Sequence, residues 1–351
     1  MFSRFNTGQK LLVSVLILSL IAFLTHTDHF MTSLEELETS PECQCVSKRT
    51  GKSHNFCYPE PRNPGWYGKK FNCSFVETLE DLNLLDDLPG NAITLKEAIS
   101  NKDALVFVSA TSEDHFGISM RSYQAVRKYY PNHKYVLFGL NISEESIGKL
   151  PKSDLNFEFR EFDTSPYPEY VTNFKRYHFK GLVMAEAMRD YPVLWWIDAH
   201  IEMIEPNVIE NLFEEISNNR MSKRYSELIS FVFSRHNNYA VLHLELLHYF
   251  PFHSFDLLKS EMQLGSGIIF VPRTKYNKKI VKWWVLCSLT DECINPPGSK
   301  QACEFDAKHW GNYGNCFRYD QSVLNILLLN DFLDHQKYYM KKLEPSFSRM
   351  D

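Results

Sequence analysis

A run of apolar residues that ends in an acid constrains the fold most: Val193–Ile197 reads VLWWI and is followed by Asp198. Pro192 stands directly before this run, and an apolar segment bounded in this way predicts a short buried strand. Open α/β sheets bind ligands beyond the carboxyl ends of their strands, because the loops converge there. Asp198 is therefore a candidate binding residue. The alternative is an aspartate that only caps a buried strand.

Predicted strands and helices alternate from residue 104 onward. The strands are expected at residues 104–110, 135–140, 157–162, 193–197, 229–233 and 267–271. The helices are expected at residues 116–129, 172–189, 207–217, 275–289 and 321–330. Because strands and helices alternate, we predict an α/β/α sandwich with a mainly parallel sheet.

The chain begins with an uncharged apolar run, Leu11–Leu24, with basic residues before it and acidic residues after it. This pattern predicts a single transmembrane helix with a cytoplasmic N-terminus and a lumenal body. A cleaved signal peptide, which would give a secreted protein, is the alternative, but no convincing small-residue cleavage pattern follows the run. We therefore expect a single-pass type II protein of the Golgi or ER membrane.

These patterns divide the chain into three regions. They are a cytoplasmic tail and signal-anchor helix at residues 1–30, a lumenal stem at residues 31–95 and the α/β domain at residues 96–345. The stem is acidic and then rich in Cys, Pro, Gly and Asn, with little periodicity, which is typical of turns and irregular structure.

Eight cysteines fall into two groups of four, which an oxidising lumen would join as disulfides. The groups are Cys43, Cys45, Cys57 and Cys73, and Cys287, Cys293, Cys303 and Cys316. Zinc binding is the alternative, but neither group has the paired C-x-x-C spacing of a zinc site, and the pairing within each group is not readable. Two sequons predict N-glycosylation at Asn72 and Asn141.

The overall charge argues against nucleic acid as a partner. The formal net charge is −5, so there is no basic excess for binding phosphate backbones. The motifs of nucleophile-elbow hydrolases, P-loop NTPases and Rossmann dinucleotide-binding proteins are absent from the sequence.

Three short motifs follow one another along the α/β domain: Asp198-Ala199-His200, Leu264-Gly265-Ser266-Gly267, and the stretch Tyr319 to Asn325, which begins Tyr-Asp-Gln. Glycines on both sides of a serine let a ligand approach the backbone closely. Asp320 is the expected N-cap of its helix, whose positive end favours a diphosphate. The alternative for each motif is structural: a strand entry or a helix cap.

In order and style these motifs resemble the GT-A glycosyltransferases, particularly the retaining family-8 type. The resemblance implies a GT-A-like domain that transfers a sugar from a nucleotide-sugar donor, with UDP as the expected nucleotide. It implies that Asp198 contacts a metal ion or the ribose, with His200 in the place of the second metal-binding acid. It further implies that Gly265, Ser266 and Gly267 shape the donor pocket, and that Asp320 and Gln321 lie near the reacting carbon.

Three cations, Lys175, Arg176 and Lys180, precede the Asp198 strand on one predicted helical segment. Cations at that edge could neutralise a leaving nucleoside diphosphate, so Lys180 is a predicted donor-binding residue. A solvated helix face is the alternative.

A second resemblance covers roughly Ala104 to Met203. Stretches such as Ser109 to Phe116 and Trp195 to Asp198 are similar to an uncharacterised metazoan family, the domain of unknown function 1647, which has no assigned activity. The family-8 pattern is also incomplete, since a late His-x-x-Gly-x-x-Lys motif is absent and His335 is a lone candidate.

The expected cofactor is a divalent metal, with Mn²⁺ favoured over Mg²⁺ because histidine at position 200 suits Mg²⁺ poorly. The expected function is transfer of a sugar from a nucleotide sugar to a glycan, protein or lipid acceptor in the secretory pathway. The missing second acid favours the alternative, a non-catalytic lumenal or cell-surface binding protein on a degenerate glycosyltransferase fold.

Overall fold

The computed structural model describes residues 40–63, 65–85, 91–305 and 312–350. The chain divides into two compact units, Met1–Glu42 and Cys43–Asp351, and every described strand and α-helix belongs to the second unit. The predicted membrane anchor lies outside the described residues. Within the described ranges, no helix has both the length and the apolar character needed to cross a bilayer.

The strands, in chain order, are β1 (Gln44–Val46), β2 (Ser53–Asn55), β3 (Leu105–Ser112), β4 (Lys134–Leu140), β5 (Phe157–Glu161), β6 (Val193–Ile197), β7 (Ile201–Met203), β8 (Ile229–Asn237), β9 (Met262–Pro272) and β10 (Phe347–Arg349). The α-helices are α1 (Val76–Asp81), α2 (Leu95–Ser100), α3 (Phe116–Tyr129), α4 (Glu144–Gly148), α5 (His178–Asp190), α6 (Val208–Glu215), α7 (Leu246–Tyr249), α8 (Phe255–Ser260), α9 (Lys275–Ser288), α10 (Asp291–Ile294) and α11 (Tyr319–Phe332).

A central six-stranded sheet has the order β5-β4-β3-β6-β9-β8. The first four of these strands are parallel, whereas β9 runs antiparallel to both of its neighbours, β6 and β8. The predicted mixed α/β fold with a mainly parallel sheet is therefore confirmed. Because β9 runs against β6, the middle of β9 lies beside the end of β6, with Ile197 opposite Ile268.

The sheet is covered on both faces, and the two tryptophans of β6 point to opposite sides, as successive strand residues must. Trp195 packs in a cluster with residues of α3 and α6, and its ring stacks on Phe231 at 4.9 Å. Trp196 packs in a second cluster with residues of α5, α9 and α11. Both indoles are buried, so this strand sits at the centre of an α/β/α sandwich.

One predicted helix begins later than expected. The helix predicted at residues 172–189 begins at His178, and the chain before it forms two short 3-10 turns, Glu169–Thr172 and Phe174–Arg176. Tyr177 joins the turns to the helix with a left-handed backbone, φ +60°, which no α-helix can contain. The cations Lys175 and Arg176 are therefore not on the same helix as Lys180.

All eight cysteines form disulfides. The pairs are Cys43–Cys57, Cys45–Cys73, Cys287–Cys293 and Cys303–Cys316. The predicted disulfides are confirmed, each within its own sequence group, and zinc ligation by these thiols is excluded because every sulfur is used in a bond.

The Cys-rich segment packs into the same core as the helices that cover the sheet. Tyr58 and Phe71 are buried, and the Tyr58 ring meets the ring of Trp283 in α9 edge-on at 5.4 Å. The Phe71 ring stacks on Tyr249 at 5.1 Å. Sequence patterns gave no sign of this packing, because the segment lacks a helical or strand period.

Phe71→Ala is expected to lower the free energy of unfolding by about 3–5 kcal/mol, because it empties a space lined by aromatic rings. Chemical denaturation followed by tryptophan fluorescence measures this loss. Val46→Ala, which truncates a side chain that is 60% exposed, is the control and should change stability by less than about 0.5 kcal/mol. Equal stability of the two variants would contradict the packing described.

Candidate functional site

A cleft of about 740 Å³ opens at the carboxyl ends of the parallel strands. Ser112 and Leu140, the last residues of β3 and β4, line it together with Asp198, which directly follows β6. The segment from Phe174 to Lys180 supplies another part of the lining. The cleft therefore lies where the sequence predicts ligand binding in an α/β sheet.

Asp198 is held in a fixed position while part of its carboxylate faces the cleft. Its Oδ1 accepts hydrogen bonds from Lys180 Nζ at 2.9 Å and from Trp196 Nε1 at 2.6 Å. Its backbone N–H donates to the carbonyl of Gly267 at 2.8 Å. The side chain is 22% exposed, so Oδ1 is committed to the protein while the carboxylate remains within reach of a ligand.

Lys180 connects the three predicted motifs. Its side chain is only 2% exposed, and Nζ lies 2.9 Å from Asp198 Oδ1, 3.2 Å from Ser266 Oγ and 3.3 Å from Asp320 Oδ2. The Ser266 hydroxyl in turn donates to Asp320 Oδ2 at 2.7 Å. The structure thus joins residues far apart in the sequence into one polar network beneath the cleft, which we call the Lys180 network (Lys180, Asp198, Ser266 and Asp320).

Burial and charge set the protonation states of this network. Burial disfavours the ammonium of Lys180, but Asp198 and Asp320 outweigh it and raise the pKa of the lysine. Burial also disfavours the Asp198 carboxylate, but Lys180 and its other partners hold the pKa of that group below its usual range. For Asp320 burial dominates and raises its pKa, with Lys180 offsetting the effect only in part.

Gly265 and Gly267 lie inside β9 and not at its start. A Cβ at position 265 would lie 2.9 Å from Val232 on the neighbouring strand. A Cβ at position 267 would lie 3.1 Å from Asp198 Oδ2. The absence of a side chain at Gly267 thus makes room for the Asp198 carboxylate. The absence of one at Gly265 lets β9 pack closely against Val232 of β8. The strand was predicted only from residue 267, whereas β9 begins at Met262. The earlier part was not predicted, because glycines weaken a strand pattern.

Asp320 and Gln321 do not line the cleft. Asp320 is the second residue of α11 and not its N-cap, because the helix already begins at Tyr319. Its side chain, 5% exposed, points into the Lys180 network. The Gln321 amide donates to Gln263 Oε1 at 2.5 Å. The prediction that Asp320 caps its helix is wrong, since the carboxylate binds Ser266.

His200 lines the cleft beside Asp198, and burial lowers its pKa, so the neutral imidazole is favoured. As arranged, however, these two residues do not fit a divalent cation. Oδ1 of Asp198 is bonded to an ammonium, and no described group of three close ligand atoms includes Asp198 or His200. The one described group of three close ligand atoms is Glu261, Asp334 and His335, which does not line the cleft. We therefore derive no chemical step through a metal.

Several cleft residues were not predicted as site residues. Ser112 ends β3, and Asp114 and His115 follow it. The His115 Nδ1 lies 3.0 Å from Asp114 Oδ1 and 3.1 Å from the Ser112 hydroxyl. Asp114 and His115 come soon after the strand predicted at residues 104–110, and this position could have indicated them as site residues. Arg349 reaches the cleft from β10, and nothing in the local sequence indicated it.

The comparisons with known proteins agree with part of the sequence prediction. Residues 43–185 match the model of a family described as a protein of unknown function (DUF1647). The predicted resemblance is confirmed, with bounds that reach into the Cys-rich segment and end before β6. No curated protein matches the chain.

Solved structures similar to this chain include glycosyltransferases. The galactosyltransferase LgtC, solved with donor and acceptor sugar analogues, is 14% identical; the match covers 63% of this chain and 70% of that chain, with a TM-score of 0.35. The glycosyltransferase GlyE of Streptococcus pneumoniae TIGR4 is 13% identical over 67% of this chain and 44% of that chain, with a TM-score of 0.34.

Lys180→Met is expected to lower the free energy of unfolding by about 3–5 kcal/mol at pH 7, because two enclosed carboxylates lose their countercharge. The stabilisation that Asp198 gains from its lowered pKa is present above the usual aspartate pKa and is lost as the pH falls through the folded value. The difference in unfolding free energy between the wild type and Lys180→Met should therefore become smaller as the pH falls and the carboxylates become protonated.

Urea denaturation of both proteins from pH 7 down to about pH 3, below the usual aspartate pKa, measures this difference. Lys152→Met, at an exposed position, is the control and should behave like the wild type at every pH. A deficit that stays constant across this range would count against the charge argument and in favour of a simple packing defect.

Proposed function

We propose that the chain is a glycosyltransferase with a GT-A-like domain that uses a nucleotide-sugar donor, with UDP as the expected nucleotide. The observation that carries the proposal is the Asp198 carboxylate, which the Lys180 network fixes at the edge of an open cleft. A carboxylate accepts hydrogen bonds from hydroxyl groups, so it suits the ribose or the sugar of such a donor.

The size and lining of the cleft support this ligand class. A volume of about 740 Å³ lies within the range of small-molecule and cofactor sites. Phe174 and Tyr177, which are partly exposed, contribute aromatic surface on which bases and sugar rings can stack. Basic side chains in the same lining give the charge that an anionic diphosphate requires.

In the proposed reaction the protein acts by positioning and by electrostatics. The donor is oriented through Asp198, whose geometry is preset by Trp196 and Lys180, so that little ordering is needed when the donor binds. Positive charge in the cleft stabilises the diphosphate as the bond to the sugar breaks. Asp320 acts in this account by holding Lys180, since it does not reach the cleft.

The cellular setting is also a proposal. Four disulfides suit an oxidising compartment, in keeping with a type II protein of the Golgi or ER membrane that acts on a glycan, protein or lipid acceptor. Asn72 and Asn141 are both exposed, as acceptors of N-glycans must be. Mass spectrometry before and after glycosidase treatment tests whether both sites carry glycans.

A non-catalytic binding protein is the second candidate. The observation in its favour is that Asp320 and Gln321, the residues expected near the reacting carbon, are held away from the cleft. Such a protein would bind the nucleotide sugar and release no UDP from it.

Asp198→Asn is expected to weaken binding of UDP-sugars about tenfold or more, because a charged acceptor of hydroxyl groups is lost. Donor binding by calorimetry and UDP release from a panel of UDP-sugars are the two measurements. Asp256→Asn, the same change at an exposed position outside the cleft, is the control. Unchanged donor affinity in the Asp198 variant would reject the role proposed for this residue. Binding without UDP release by the wild type would favour the second candidate.

A further inference from the structure

The last described strand of the chain is attached to the turn that carries Asp198. Strand β10 pairs antiparallel with β7, with Arg349 opposite Ile201. The backbone N–H of Met350 donates to the carbonyl of His200 at 2.8 Å. A segment distant in sequence is thereby fixed at the mouth of the cleft, and Arg349 is among the residues that line it.

Arg349 differs from the buried cation of the same cleft in lacking an acidic partner. Lys180 lies between two carboxylates, whereas Arg349 forms no ion pair or side-chain hydrogen bond with any residue that the structure describes. Lys175, also exposed in the cleft lining, is likewise unpaired within the described ranges. These two cations therefore have no carboxylate within ion-pair distance among the described residues, although Asp114 and Asp198 line the same cleft.

Arg349 lies among other cationic side chains. Lys175 and Lys180 line the same cleft. Burial lowers the pKa of Arg318, and the positive charge of Arg349 contributes to the same effect. An anionic ligand placed among these cations would relieve their mutual repulsion.

We propose that Arg349 binds the diphosphate of the donor, so that the C-terminal strand forms part of the substrate site. The proposal rests on the function proposed above. A guanidinium presents N–H groups in a planar fork that matches two phosphate oxygens, and a bond to a charged group is about twice as strong as one between neutral groups. A nucleoside without phosphates offers this fork no pair of anionic oxygens.

The test compares two ligands that differ only in the diphosphate. Affinities for UDP and for uridine are measured by ligand-observed NMR on the full-length wild type and on Arg349→Ala, Arg349→Lys and Arg224→Ala. The last is a control, because Arg224 is an exposed arginine outside the cleft lining. Thermal unfolding of each variant shows that the fold is kept.

We expect Arg349→Ala to weaken UDP binding about 10- to 100-fold while uridine binding changes less than about twofold. Arg349→Lys should recover part of the UDP affinity, because a lysine keeps the charge but not the fork. Arg224→Ala should match the wild type for both ligands.

Three results would overturn the inference, and they are distinguishable. Wild-type UDP affinity in Arg349→Ala would remove Arg349 from the site and leave the proposed function intact. Equal losses for UDP and uridine would show that the effect does not come from a diphosphate contact. If the wild type binds neither ligand, the proposed function fails together with this inference.

Discussion

The ammonium of Lys180 is the group on which the site depends. It lies between Asp198 and Asp320, almost fully removed from water, with the Ser266 hydroxyl as a further partner. A buried charge of this kind persists only when opposite charges and hydrogen bonds replace its hydration. The position of Asp198 therefore depends on helix α5, the end of β6, the middle of β9 and the first turn of α11 together.

The topology of the sheet explains how these elements meet. Because β9 runs antiparallel to β6, its interior and not its end lies beside Asp198, where Gly267 leaves space for the carboxylate. Ser266, the preceding residue of β9, accepts from Lys180 and donates to Asp320. The outer part of Asp198 faces the cleft, and the inner part is tied to the core through Trp196. The Asp198 side chain is thus held rigidly by the core and is still accessible to a ligand in the cleft.

The fold could be predicted further than the site. Val193–Ile197 and Phe116–Tyr129 have the predicted bounds because apolar runs and helical periods are local signals. The start of α5 was missed because it depends on the left-handed conformation of Tyr177, which no residue type announces. The members of the Lys180 network were each singled out in the sequence, but their mutual contacts were not, since a buried ion pair depends on segments far apart in the chain. Arg349 was missed for the same reason, because the pairing of β10 with β7 leaves no trace in the local sequence.

The central claim is that the Asp198 carboxylate faces a nucleotide-sugar site. A crystal structure of the protein soaked with UDP tests it most directly. We expect nucleotide density in the cleft at the carboxyl ends of β3, β4 and β6, with the Lys180 bond to Asp198 preserved. Nucleotide bound elsewhere on the molecule, or an Asp198 side chain turned away from an occupied cleft, would contradict it.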